Sequence, residues 1–412
     1  MREFYLNPDF DASLRGRPSL LETDDATFAH EMAWHFLFAG SAADSVIVHR
    51  ALPEDFLAYL GQKGLALPKP VLHPAHTPAA EFTPFGWNGH TEALALRYDR
   101  QTPHPDPETI RIANSRAFSL GVEQGRKGSD PGSPDAPGSL FVTLEALEAF
   151  LSGRTEAEGW VVKGDHGHAG TANRRVPAGP LGPEDRPALK RLFDEHGRVV
   201  AEPWHDRLLD MSVNFTLDAH GGMHGFRGHQ LLNSRDGAFL GVKILPSRLP
   251  PDPWAEPLRA SAAALAQDLA GLGYSGPVGV DAYVWNSQQG PRLRPVVDIN
   301  ARQSMALPAH GLAQRLPGKT LLWMWAKPRK LNLPEGYRDL DRRLGPHAFD
   351  KASGTGILAV SPLRLQGGTA APAKPDRSLA AKPKRVGFLF SAEGEERLSA
   401  LQSAFAAALG RG

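Results

Sequence analysis

Apolar positions along the chain fall into short runs separated by Gly, Pro and Asp, the pattern of strands alternating with helices. Residues 35–73 read as a small α/β unit: Phe36-Leu37-Phe38-Ala39-Gly40 and Val46-Ile47-Val48 as strands, 53–60 as a helix, and Val71-Leu72 as a further strand. Pro84-Phe85-Gly86-Trp87-Asn88 follows in a stretch rich in Pro and Gly, and the prolines of 103–107 put a boundary near residue 108. The pattern then predicts a helix over 108–123, a surface loop over 124–138, a helix over 144–151 and a strand at Trp160-Val161-Val162-Lys163. Further β-rich segments at 199–202, 212–216, 278–285 and 294–299 alternate with helices. The clearest helix is 255–272, with Leu258, Leu265, Leu269 and Leu272 on one stripe and Gly273 just beyond its end. Residues 367–384, rich in Ala, Pro and Lys, read as a flexible linker. A last strand (386–390) and helix (394–409) then form what looks like an appendage.

Composition narrows the classes. A chain of 412 residues is long enough for two or three packed units. With 46 Lys+Arg against 45 Asp+Glu, no overall field draws it to nucleic acid or anionic lipid, so neither partner is expected. The absence of Cys excludes disulfides, thiolate nucleophiles, zinc fingers and iron–sulfur clusters, leaving any metal to oxygen or imidazole ligands. The acids and Pro of the first nine residues argue against a secretory signal, and no apolar run reaches the roughly 18 residues needed to span a bilayer. A cytoplasmic protein is expected.

Two familiar motifs fail on spacing. His30-Glu31-Met32-Ala33-Trp34-His35 places its histidines five apart, about 140° around a helix, so they cannot share a zinc ion there. Pro317-Gly318-Lys319-Thr320 ends like a phosphate loop, but Ala313 stands where the first Gly is required. No Gly-x-Gly-x-x-Gly follows a strand and no Gly-x-Ser-x-Gly is present.

What survives is a pair of elements. A strand ends in Lys163 and enters a loop with Gly164, Gly167 and Gly170 at every third position. Such glycines let backbone N–H groups approach phosphate oxygens, and the Lys adds a fixed charge. A plain glycine-rich turn is the alternative. The second element is Val296-Val297-Asp298-Ile299-Asn300-Ala301-Arg302, preceded by Gly279-Val280-Asp281-Ala282-Tyr283. Asp298 and Asn300 share one strand face, and Asp281 joins them if its strand is the antiparallel neighbour across the 287–290 turn. Three oxygen ligands on one face suit Mg²⁺ shared with nucleotide phosphates, with Mn²⁺ as a second candidate. The alternative is a hairpin whose polar residues simply face solvent.

Lys163 with its loop, Glu202-Pro203-Trp204, and the Asp281 then Asp298-Ile299-Asn300-Ala301-Arg302 pair resemble, in that order, the ATP-grasp superfamily over roughly residues 110–310. Pro84 to Asn88 and Asn114-Ser115-Arg116 resemble segments of bacterial members of that family. The resemblance implies an α+β chain: an ATP-grasp fold of two α+β subdomains, preceded by a small Rossmann-like α/β pre-ATP-grasp domain. The corresponding boundaries are 1–108 for the first domain, 109–330 for the ATP-grasp domain (109–200 lid, 201–330 metal-binding) and 331–412 for a C-terminal extension.

Carried over position by position, Lys163 would bind the phosphates and Arg116 would stand where many members have a second Lys. His166 and Gly167 would cover the phosphates, with His168 beside them, a transition-metal role for the two imidazoles being the alternative. Glu202 and Trp204 would meet adenine, and Asp210 the ribose. Asp281, Asp298 and Asn300 would be the metal ligands, Asp standing where Glu is commoner. Arg302 would meet the substrate or transition state; Arg227 and His229 resemble a biotin carboxylase stretch near the phosphates, with Leu231 in place of its Lys. Lys243 faces either the same cleft or solvent. The activity implied is an ATP- and Mg²⁺-dependent, ADP-forming ligase that joins a small-molecule carboxylate to an amine or other nucleophile through an acyl phosphate. A non-catalytic ATP-binding protein and an ATP-dependent phosphotransferase are the alternatives.

Overall fold

The computed structural model describes residues 1–16, 31–100, 102–125, 138–154, 158–167, 172–234, 237, 239–247, 249–365 and 383–410. Arg2–Tyr5 (β1) pairs in parallel with Ser45–Val48 (β2), which pairs with Lys69–Leu72 (β3). Glu81–Pro84 (β4) lies on the other side of β1, giving the order β3-β2-β1-β4. The helix Gly89–Arg97 begins at a capping box, Thr91 N–H donating to Asn88 Oδ1 (3.0 Å) and Asn88 N–H to Thr91 Oγ1 (2.9 Å).

Two expectations fail here. Trp34–Phe38 is a buried 3₁₀ turn, not a strand; all five side chains are enclosed, so its apolar run carries no period that tells strand from helix. The strand that belongs in the sheet is β1, too short and too near the N-terminus to show a pattern. The helix expected over 108–123 is two helices, Pro107–Ala113 and Arg116–Gly125. Asn114 ends the first: its side-chain N–H₂ bonds Ile110 O (2.8 Å) and Ala301 O (3.3 Å), and its Oδ1 accepts from Ala301 N–H (2.9 Å).

Ser139–Phe141 (β5), Trp160–Gly164 (β6), Asn173–Val176 (β7) and Val199–Pro203 (β8) form an antiparallel sheet ordered β5-β8-β6-β7. With the helices Leu144–Ser152 and Asp185–His196 it encloses a separate small core around Leu147, Leu151, Trp160, Val162 and Leu189.

The remaining strands make one antiparallel sheet. They are Arg207–Leu217 (β9), Met223–Asn233 (β10), Phe239–Ile244 (β11), Gly276–Ser287 (β12), Gly290–Asn300 (β13), Thr320–Ala326 (β14), Gly356–Ala359 (β15) and Val386–Ala392 (β16). Their order is β13-β12-β9-β10-β11-β14-β16-β15. Ala255–Gly271 is the helix read from the sequence. It buries Leu258, Ala262, Leu265, Ala266 and Leu269 against this sheet, each Leu worth roughly 1.5–3 kcal/mol.

The final segment is no appendage: β16 sits between β14 and β15, and Phe405 of the helix Glu395–Leu409 packs on Phe388 and Phe390 (4.7 and 5.2 Å between rings). Most of the 367–384 stretch lies outside the described residues. The first sheet and the large sheet share one continuous core, whereas the β5–β8 unit keeps its own.

Candidate active site

The register of the large sheet builds the site. Directly opposed residues point to the same face, so pairing across four strands creates rungs. His229, Ser212, Asp281 and Asp298 form one; Arg227, Asn214, Gly279 and Asn300 form the next. Asp210, Tyr283 and Arg294 follow on the other side, after a register shift between Asp281 and Tyr283. The intervening Val213, Val280, Ala282 and Ile299 are buried on the opposite face. Asp281, Asp298 and Asn300 therefore share one face of an antiparallel hairpin, as the alternation of the sequence anticipates.

The donor set fits a hard dication. Burial, and then the like charge of Asp298, push the Asp281 carboxyl up to about 6, a repulsion that a bound cation would relieve. Asn214 Oδ1, on the adjacent rung, is buried without a hydrogen-bond partner. Gly279 keeps that rung open: a Cβ there would lie 3.0 Å from Asn214 Nδ2. Among the described residues no three His, Cys, Asp or Glu side chains are grouped to hold a metal, so such a site would use two carboxylates, the Asn300 amide and ligand oxygens. Arg116 Nη2 lies 3.3 Å from Asp298 Oδ2.

Facing this sheet, the β6 residue Lys163 donates to Glu202 on β8 (2.6 Å). Glu202 also takes Arg294 Nη1 at 2.9 Å, and Arg294 forks onto Glu123 through Nε (2.7 Å) and Nη2 (2.5 Å). All four side chains are buried. Burial pulls the Lys163 ammonium below its ordinary value, with Glu202 opposing. Burial also pushes Glu202 up, but Arg294 and Lys163 outweigh it and hold this carboxyl well below the usual carboxylate range. Arg294 remains charged, because Glu202, Tyr283 and Glu123 overcome its desolvation. His205, brought down to about 4 mainly by burial, stacks on Trp285 (4.0 Å) with Nδ1 2.8 Å from the Tyr283 hydroxyl.

The other anticipated residues are placed as follows. Arg116 runs under the glycine loop, donating to Gly164 O and, at 3.4 Å, to Gly167 O. Gly167 is needed for that approach, since a Cβ would lie 2.9 Å from Arg116 Nη1 and 2.5 Å from Ala172 Cβ. His166 is buried, with Nε2 3.0 Å from Arg111 O and Nδ1 3.5 Å from Asp165, so its ring turns into the protein. His168 lies outside the described residues. Trp204 carries the guanidinium groups of Arg175 (4.7 Å) and Arg207 (5.0 Å) on its ring, and Asp210 pairs with Arg207 (3.1 Å). His229 is buried against His310 (3.1 Å between Nδ1 and Nε2), and burial brings it down to about 3; Arg227 is on the Asn300 rung. Arg302 donates from Nε to Asp11 (3.3 Å) and from Nη1 to Gln303 O (3.1 Å), over the Phe85 ring at 4.7 Å. Lys243 pairs with Glu395 (3.0 Å), away from the cleft.

Residues the sequence does not single out complete the arrangement. Ser119 Oγ accepts from Ile299 N–H (3.1 Å), fastening the edge strand β13 to the helix Arg116–Gly125, while Asn114, between the two helices, holds Ala301 just beyond β13. Glu123, Tyr283 and Arg294 read as ordinary helix and strand residues. Only the Asn114-Ser115 pair, a helix-stop signal, gives a local hint.

No protein-family model matches the sequence, and no curated protein sequence matches it. Solved structures do match. Phosphoribosylamine–glycine ligase from Thermotoga maritima superposes with a TM-score of 0.54 at 13% identity, over 99% of this chain and 97% of that one. The chain has the ATP-grasp fold. N5-carboxyaminoimidazole synthetase from Staphylococcus aureus, complexed with ADP, gives 0.51 at 12% identity over 98% of this chain and 96% of that one. The biotin carboxylase domain of 2-oxoglutarate carboxylase from Hydrogenobacter thermophilus, bound to MgADP, ADP and bicarbonate, gives 0.51 at 10% over 99% and 90%. The ATP-grasp likeness thus spans nearly the whole chain, including the N-terminal sheet. Among the described residues, no helix is long and apolar enough to cross a membrane.

Proposed function

We propose that the protein is an ADP-forming, Mg²⁺-dependent ligase that joins a small-molecule carboxylate to an amine through an acyl phosphate. The observation that carries this reading is the Asp281–Asp298 rung with Asn300 beside it, facing the Lys163–Glu202 pair. Asp281, Asp298 and Asn300 would hold the ion, which when bound neutralises phosphate charge. Lys163 would exchange Glu202 for a phosphate oxygen, and Arg116, already on Asp298, would add a second positive charge. Arg302 would hold the substrate carboxylate against the nucleotide, and the β5–β8 unit, with its own core, would exclude water from the acyl phosphate. His166, buried as it is, would position the glycine loop rather than touch phosphate. Magnesium, ATP and small-molecule substrates in a cytoplasmic setting accompany this reading.

The test is the thermal stability of the wild type and Asp298→Ala with Mg²⁺ and ATP. Ligand at a hundredfold over its dissociation constant adds about 2.7 kcal/mol, so the wild type should rise and Asp298→Ala should not. Equal shifts in both proteins would refute the metal assignment. ADP release in the presence of hydroxylamine and a carboxylate, with hydroxamate formed, then separates a ligase from a non-catalytic nucleotide-binding protein. The latter reading is favoured by one observation: Lys163 is held by the buried Glu202–Arg294–Glu123 network.

A further inference from the structure

A cavity of about 350 Å³ begins where the metal-binding face ends. Pro277 and Thr216 line it, and they form the next same-face rung beyond Gly279 and Asn214, about 7 Å along the strands. Its other wall is β4 and its continuation through Trp87, with Arg302 and Gln303 at one end and Glu81 at the other. Among the described residues β4 pairs with β1 alone, at the edge of its sheet. The N–H groups of Glu81 and Phe85 point to β1, onto Met1 O (3.0 Å) and Tyr5 O (2.7 Å). By the alternation of a strand backbone, the Phe82 N–H and the carbonyls of Phe82 and Pro84 therefore face the cavity that both residues line. Just beyond β4 the chain is tied to the neighbour of Arg302, Gln303 N–H donating to Phe85 O at 2.8 Å, which sets Arg302 at this end of the strand.

We propose that this edge is the substrate site and that its ligand is a short peptide or peptide-like carboxylate, laid alongside β4 with its C-terminal carboxylate at Arg302. The inference deepens the ligase reading and rests on it. β4 presents one outward donor and two outward acceptors, the complement of an extended main chain, whereas a compact carboxylate would leave them unmet. Three extended residues span about 10 Å, matching the reach from Arg302 along the four residues of β4. The charges agree in direction: the Arg302 guanidinium, whose Nη2 donates no hydrogen bond to the described residues beyond the contacts of Nε with Asp11 and Nη1 with Gln303, suits the carboxylate, and Glu81 suits the ammonium end. Arg2, also at that end, is taken by Asp44. Pro84 supplies no N–H, so the edge accepts a short ligand but not a long added strand.

In the reaction, a C-terminal carboxylate oxygen forms a bond to the γ-phosphorus as the bond to ADP breaks. The amine nitrogen then bonds the carbonyl carbon, the C–O bond to phosphate breaks, inorganic phosphate leaves and the nitrogen loses a proton.

The test uses the full chain with Mg²⁺ and ATP. L-alanyl-L-alanyl-L-alanine, the same tripeptide N-methylated at either amide, L-alanine and benzoate are compared by calorimetric binding, and by hydroxamate and ADP formation with hydroxylamine. The tripeptide should bind at least tenfold more tightly than L-alanine or benzoate, and methylating one of its two amides should cost at least tenfold. Equal use of L-alanine or benzoate, or indifference to both methylations, overturns the peptide assignment while leaving the ligase reading intact. Methylation-sensitive binding with no ADP formation sustains the docking site and rejects the ligase. Absence of both binding and turnover rejects both.

Discussion

Replacing Arg294 with Met removes a cation that serves two carboxylates at once. Arg294 is 2% exposed; it forks onto Glu123 at 2.7 and 2.5 Å and reaches Glu202 at 2.9 Å. Glu202 keeps a second cation, Lys163 at 2.6 Å, but Glu123 has no other ion pair among those described. The variant therefore encloses one uncompensated carboxylate, and breaking a buried pair from one side costs about 3–5 kcal/mol. The loss should appear in urea denaturation at neutral pH, and as a fall in Tm of roughly 3–6 °C. Removing the orphan should reverse most of it: Glu123→Met combined with Arg294→Met leaves the Lys163–Glu202 pair intact, and apolar replacements of a buried ion pair are often neutral. A double-mutant cycle gives the coupling directly. If Arg294→Met lost less than about 1 kcal/mol, or the double variant were no more stable than the single one, the network would not be an energetic unit and the reasoning would be wrong.

His35 is fully buried between Trp325 (3.8 Å between rings) and Trp323 (5.5 Å), with neither ring nitrogen hydrogen-bonded, and burial holds it neutral, well below its ordinary value. A base depressed in the folded state stabilises it above the unfolded value and loses that contribution as pH falls. Wild-type stability should thus decline below about pH 6.5 by up to about 1.4 kcal/mol per pH unit from this group, and His35→Leu should lessen the slope and raise Tm at neutral pH. An unchanged slope in a melting series from pH 7 to 5 would count against it. Asn114→Ala deletes two side-chain hydrogen bonds to the Ala301 backbone and should cost about 1–3 kcal/mol by chemical denaturation. It should also loosen the Asn300–Arg302 turn, weakening the MgATP-induced thermal shift; a normal shift would mean that the helix does not set that turn.

That Asp281, Asp298 and Asn300 share one strand face was legible because the signals for it are local. Asp281 and Asp298 flank a turn, apolar residues alternate with them, and two-residue alternation survives in any register that buries Val280 and Ile299. Lys163 and its glycines are likewise contiguous. What escaped reading depends on partners far along the chain: Arg294 meets Glu123 at a separation of 171 residues, and Asp11, the partner of Arg302, lies 291 residues from it. Nothing near Arg294 or Asp11 distinguishes either from a solvated residue. The short strands β1 and β4 escaped for a related reason, since four residues show no period and only the neighbouring strands make them a sheet. His166 looked like a loop residue over phosphate, but the bend after β6 turns its ring onto Arg111.

The position of β16 has a consequence for how the chain comes into being. During synthesis the β5–β8 unit can close its own core once residue 203 has emerged, since every strand of that sheet precedes it. The large sheet cannot: β14 and β15 have their shared neighbour in 386–392, so each presents a bare hydrogen-bonding edge until those residues have left the ribosome. Trp323, Leu358 and Phe390 lie in that late-closing region, making it the stretch where a stalled or clipped chain would expose its stickiest surface.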